Sequence, residues 1–159
     1  MPRSPTMPVV PVMDRRWWLR KTYPIVVWPA ARSVIRLDDA RRDARIAKYW
    51  AIAQAAARQS GRAQIPDVTS ADSLAAALAA LPAGQRLVLD PTSDTPLDAA
   101  LAASPPSDVT VISGPEGGLA PGELDQLTSF TPLGLGPRIL RAETAPMIAV
   151  AMIRALTRS

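Results

Sequence analysis

Residues 109–118 read Val-Thr-Val-Ile-Ser-Gly-Pro-Glu-Gly-Gly, a short apolar run that ends in a glycine-rich turn. Val109 to Ile112 are β-branched and are bounded by Pro106 and Gly114, the pattern of a buried strand in a parallel sheet. Pro115 stiffens the exit, while Gly114, Gly117 and Gly118 let the backbone approach a ligand or take positive φ. Glu123, Leu124 and Leu127 open a helix just past Pro121. A strand, a glycine turn and a helix together form the place where open α/β sheets bind ligands.

The turn alone is a weak sign, since it lacks the Lys-Ser/Thr of a phosphate-cradling loop and the glycine spacing of a dinucleotide fingerprint. A second stretch strengthens it: Leu133-Gly-Leu-Gly-Pro-Arg-Ile-Leu-Arg-Ala-Glu-Thr-Ala145 is again strand-like, glycine-rich and followed by an apolar helix. Two such loops can converge on one ligand.

The two stretches, ISGPEGG from Ile112 to Gly118 and LGPRILRAETA from Leu135, resemble the ribosomal small-subunit RNA uridine-N3 methyltransferases of the SPOUT superfamily. The resemblance covers residues 25–159 and is strongest over 109–146. It implies an α/β fold with a mostly parallel sheet flanked by helices and a C-terminal deep trefoil knot. It also implies a homodimer, S-adenosylmethionine as cofactor and small-subunit ribosomal RNA as substrate. The cofactor pocket implied comprises Leu89, Gly114, Glu116, Gly117, Leu135, Gly136, Ile139, Leu140 and Arg141; plain core is the competing reading for Leu135, Ile139 and Leu140. RNA contacts are implied for Arg32, Arg58, Gln59 and Arg62. For Arg58 and Arg62 the alternative is a pair of cations complementing a helix macrodipole.

Methylation at N3 requires removal of a proton from a uridine that is neutral at ordinary pH. Without histidine, the candidates for that role are Glu116 and Glu143, with Arg141 placed to offset negative charge on the base. Glu143 also reads as an acidic residue in the first turn of the last helix. The chain departs from the family in lacking room for an N-terminal β-barrel RNA domain before the match. A Lys-Ala-Thr-Glu-Leu-Gly helix is reduced to Arg20-Lys-Thr-Tyr-Pro24, and Ala120 and Gly122 stand where a Ser cap and a Glu are usual. A non-catalytic remnant that binds RNA or cofactor is therefore the alternative.

Composition agrees with one core: 159 residues, 48% hydrophobic. With no cysteine and no histidine, disulfides, thiol or imidazole catalysis and the usual zinc sites are excluded, and no metal is expected. No run approaches a membrane span, and the N-terminus lacks a signal pattern, so a cytoplasmic protein is expected. Charge is uneven: residues 1–62 carry a balance of +9 and residues 63–159 a balance of −5. Such a basic half suits a polyanion or an Arg-rich solvated helix.

Residues 1–13, rich in proline, read as a disordered tail ahead of one domain over 14–159. Residues 14–21 read as a short basic helix carrying Trp17 and Trp18, which would stack on bases or anchor an interface. Ile25–Trp28 reads as a strand and Ser33–Leu37 as a second extended piece. A helix capped by Asp38 or Asp39 runs to Ser60 and presents Ile46, Tyr49, Ala53, Ala56 and Ala57 on one face. Ser70 or Asp72 caps a helix to Leu81, Arg86–Asp90 is a strand, Asp98–Ala103 a short helix and Glu143–Leu156 the last helix. That last helix is more apolar than one buried stripe requires, which suits a dimer interface.

Overall fold

The computed structural model describes the backbone of residues 9–14 and residues 24–33, 39–61, 64–101 and 108–156 in full apart from the side chain of Asp39. The expected Trp17/Trp18 helix, most of the extended piece at 33–37, and Arg62 lie outside these residues.

Six strands form one sheet: β1 (Val9–Asp14), β2 (Ile25–Val27), β3 (Val68–Ser70), β4 (Gln85–Leu89), β5 (Asp108–Ile112) and β6 (Thr131–Leu133), in the order β3-β2-β1-β5-β4-β6. β2 pairs parallel with β3, and β4 pairs parallel with both β5 and β6. β1 is antiparallel to both of its neighbours, with Val10 opposite Val26 and Met13 opposite Val109. The other five strands therefore share one direction, and their carboxyl ends lie along one edge of the sheet.

β1 corrects the tail expected over residues 1–13, since Val9 to Met13 form a central strand hydrogen-bonded on both sides. Pro11, which cannot donate to a ladder, makes the segment read as irregular; the β-branched Val9, Val10 and Val12 outweigh it. Its orientation has a simple cause. Residues 15–24 are fewer than the dozen or so that a parallel crossover needs, so β1 meets β2 antiparallel.

Helices cover both faces. On one face, α1 (Asp39–Gln59) packs Ile46, Tyr49 and Ala53 against Val27 and Val68, as its periodicity predicts. Ala57 is buried too, whereas Ala56, expected on the same face, is exposed. α3 (Leu97–Leu101) and α5 (Ala145–Leu156) lie on this same side, where Leu97, Leu101, Ala149 and Ile153 pack on Leu87, Val109, Val111 and Leu133. On the other face, α2 (Leu74–Ala79) and the short α4 (Pro121–Leu124), with the 3-10 turn Asp125–Leu127 after it, gather around Trp28, Val88 and Ile112. Leu87 and Leu89 of β4 thus enter one core and Val88 the other, which explains why this end of the strand is apolar without alternation.

One cap differs from expectation. α2 is capped by Ser73, whose Oγ accepts from the Ala76 amide at 3.1 Å, because Ser70 is still in β3. Asp72 instead accepts from Arg42 on α1 at 2.6 Å. Gly61 closes α1 with φ +67°, a value that favours glycine after a helix.

Leu133 ends β6 with no solvent exposure, packed against α3 and α5. Leu133→Ala should lower unfolding free energy by about 3 kcal/mol, read as a fall in denaturation midpoint at constant slope.

Candidate functional site

Because the parallel strands share a direction, the loops after β2, β4, β5 and β6 leave from one edge. Hydrogen bonds tie them together in two pairs. The β4 exit and the β6 exit are joined by Asp90 N donating to Leu133 O at 3.0 Å, Gly134 N to Thr95 O at 3.0 Å and Ser93 Oγ to Pro132 O at 3.2 Å. A Cβ on Gly134 would overlap the Ser93 carbonyl oxygen, so only glycine allows this approach. The loop after β4 is itself braced by Asp90, whose Oδ1 accepts from the amide and hydroxyl of Thr92 at 2.8 and 2.7 Å.

The β2 exit meets the β5 exit. Arg32 Nη1 donates to the Gly117 carbonyl at 3.2 Å, and a Cβ on Gly117 would lie 3.3 Å from the Arg32 Cβ. The turn closes through Gly118 N to Pro115 O at 2.8 Å, with Gly118 at φ +71°. Behind it, Glu123 is buried: Oε1 accepts from the Ala31 amide at 3.1 Å and from Trp28 Nε1 at 3.5 Å, and Oε2 accepts from the Ala120 amide at 2.9 Å. The last contact is one half of a capping box; Ala120 has no oxygen to supply the other.

The expected cofactor residues fall on this edge in two groups. Leu89, Leu135 and Leu140 are half-buried, and Leu89 and Leu135 pack on the cluster that holds Leu133. Ile139 is not core: it is 83% exposed, because the chain from Gly136 to Arg138 leaves the sheet. Gly136 takes φ +102° with open space where a Cβ would stand. Gly114 is tight against the Leu119 side chain, at 3.1 Å. Glu116 and Gly117 are exposed in the turn.

Arg141 and Glu143 are exposed and 3.9 Å apart. Glu143 precedes α5 in a turn closed by Thr144 N and Ala145 N on the Arg141 carbonyl, at 2.9 and 3.0 Å; the helix begins two residues later than expected. Of the residues expected to meet RNA, Arg32 alone lies at the glycine turns. Arg58 and Gln59 are exposed at the end of α1, which leads into the amino-terminal end of β3 on the opposite edge of the sheet. Arg58 there complements the helix macrodipole. Sequence reading missed Trp28, Ser93, Thr95 and the bonding of Glu123; an acidic residue two positions past the helix-opening proline was the one visible sign.

A family model described as "RNA methyltransferase domain" matches residues 22–154. The chain belongs to that RNA methyltransferase family. Ribosomal RNA small subunit methyltransferase E of Bacillus subtilis is 34% identical over 137 residues, covering 80% of this chain and 54% of that protein. The Mycobacterium bovis protein of the same name is 34% identical over 145 residues, covering 83% and 53%. Among solved structures, ribosomal RNA small subunit methyltransferase E of Neisseria gonorrhoeae, bound to S-adenosyl methionine, superposes with TM-score 0.70 at 30% identity, covering 81% of this chain and 53% of that one. A Legionella pneumophila methyltransferase solved with SAM superposes with TM-score 0.71 at 31% identity over the same shares. The chain thus spans about half the length of these members of the family. Among the described residues no cluster of acidic side chains could hold a metal ion, and no helix is long and apolar enough to cross a membrane.

Two glycine replacements separate tight from open positions on this edge. Gly134→Ala should force the β4 and β6 exits apart and cost about 1–3 kcal/mol, whereas Gly122→Ala, in open space within α4, should be neutral or stabilise by up to about 1 kcal/mol. Thermal unfolding of the two variants checks both signs.

Proposed function

We propose that this chain transfers a methyl group from S-adenosylmethionine to N3 of a uridine in small-subunit ribosomal RNA. The observation that carries the reading is the convergence of strand-exit loops whose glycine backbone, open at Gly136, stands beside half-buried leucines and one exposed Arg–Glu pair. Membership in the RNA methyltransferase family and the names of the relatives support it.

The residues fit the cofactor chemically. Leu89, Leu135 and Leu140 provide an apolar floor, and Gly114, Glu116 and Gly117 on one side and Gly136, Ile139 and Arg141 on the other supply backbone groups for adenine and ribose. S-adenosylmethionine would supply a methyl group already activated on a sulfonium, so the protein's work is positioning, water exclusion and proton handling. The N3–H proton passes to a carboxylate, Glu116 or Glu143. Arg141 offsets the negative charge that spreads over O2 and O4 of the base. The 3.9 Å spacing of Arg141 and Glu143 lets both reach one base edge.

The rest of the reading follows the family. The segment past β6 threads as a deep trefoil knot. α5 leaves Met147, Ile148, Met152 and Leu156 exposed, an apolar face suited to a second copy of the chain in a homodimer. Arg32 contacts RNA phosphates at the glycine turns, Arg58 and Gln59 on the opposite edge contact other phosphates of the same RNA, as does Arg62, and the enzyme works in the cytoplasm. A second reading, a remnant that binds without turnover, is favoured by one fact: Ala120 and Gly122 stand where the family resemblance calls for a Ser cap and a Glu.

Incubation with labelled S-adenosylmethionine and small ribosomal subunits, followed by nuclease digestion, should yield N3-methyluridine. Arg141→Ala should lower kcat/KM on the order of a hundredfold. Cofactor binding without any transfer would instead establish the remnant.

A further inference from the structure

Glu123 is the one buried carboxylate among the described residues, and no step of the proposed reaction uses it. Burying a charge without a task is costly, and here its two oxygens are committed to three donors on two different loops. Oε1 holds the β2 exit through Ala31 N and Trp28 Nε1, and Oε2 holds the end of the glycine turn through Ala120 N. The residue after Ala31 is Arg32, whose guanidinium crosses to the Gly117 carbonyl. Trp28 has no solvent exposure and cannot shift to compensate. Glu123 therefore brackets both ends of the Arg32–Gly117 contact from beneath.

We propose that Glu123 is a positioning residue that holds Arg32 over the glycine turn, so that the cation offered to RNA and the backbone offered to the cofactor keep one fixed relation. The inference rests on the RNA reading of Arg32. Ser33, next along the same loop, adds to the picture: its Oγ is buried with no hydrogen-bond partner among the described residues, so no side-chain bond of its own anchors the loop there. The bracket accepts from three N–H groups through both side-chain oxygens, which an amide, with one oxygen, cannot reproduce. An amide in the same place turns its NH2 toward one of the donors and opens the bracket at one end.

The test uses Glu123→Gln, Arg32→Ala and the double variant in the full chain. Glu123→Gln should keep S-adenosylmethionine affinity within about threefold of the wild type and weaken binding of a small-subunit RNA fragment about tenfold, the loss expected for one charge-assisted hydrogen bond. The double variant should bind RNA no worse than Arg32→Ala alone, because both changes remove the same contact. Amide hydrogen exchange gives a readout independent of RNA: the Ala31 amide should be protected in the wild type and exchange at least about tenfold faster in Glu123→Gln. Additive losses, or equal losses of cofactor and RNA binding, would overturn the inference and leave Glu123 a folding residue; so would an unprotected Ala31 amide in the wild type. An Arg32→Ala variant that binds RNA normally would remove the reading of Arg32 itself, whereas a loss in Arg32→Ala with none in Glu123→Gln would remove the positioning role alone.

Discussion

Strand β5 has to be satisfied on four sides at once. Its residues from Val109 to Ile112 are buried, so apolar layers must cover both faces, and its backbone must be paired on both edges. β4 meets one edge and β1 the other, while α5 with α3 and α4 with the turn after it supply the layers. Once β5 is held this way, the chain can leave it in only one direction, and the glycine turn at Gly114 to Gly118 is delivered to the edge where the β4 and β6 exits also emerge. The site is a consequence of that burial.

The parallel half of the sheet and its helices were legible because their patterns are undiluted. β5 is a bounded β-branched run, α1 has a long alanine-rich stripe, and α5 is apolar. What was not legible depended on partners far along the chain. β1 carries a proline, and only the pairing opposite Thr110 and Val26 reveals it as a strand. β3 is three residues long, too short for a period to register. Ser73 rather than Ser70 caps α2, because pairing with β2 draws Ser70 into the sheet.

At the candidate site, glycine-rich loops could be found from sequence, but which residues touch could not. Gly134 matters through Ser93, and Gly117 through Arg32, contacts that span long stretches of chain. Ile139, whose apolar character suggested core, is exposed because it sits in a loop that projects from the sheet. Glu123 looked like a helix-opening acid and is a buried acceptor for three donors. In each case the local pattern was correct about residue type and silent about distance. Arg58 and Gln59 show the reverse: family resemblance grouped them with the site, and the crossover of α1 carries them to the other edge.

If the converging exits form one pocket for S-adenosylmethionine, a calorimetric titration of the purified chain with that cofactor registers it. Saturable binding near one molecule per chain, lost when Gly117→Val fills the turn against Arg32, is the result expected. A folded protein that shows no binding, or a Gly117→Val variant that binds as the wild type does, would contradict it.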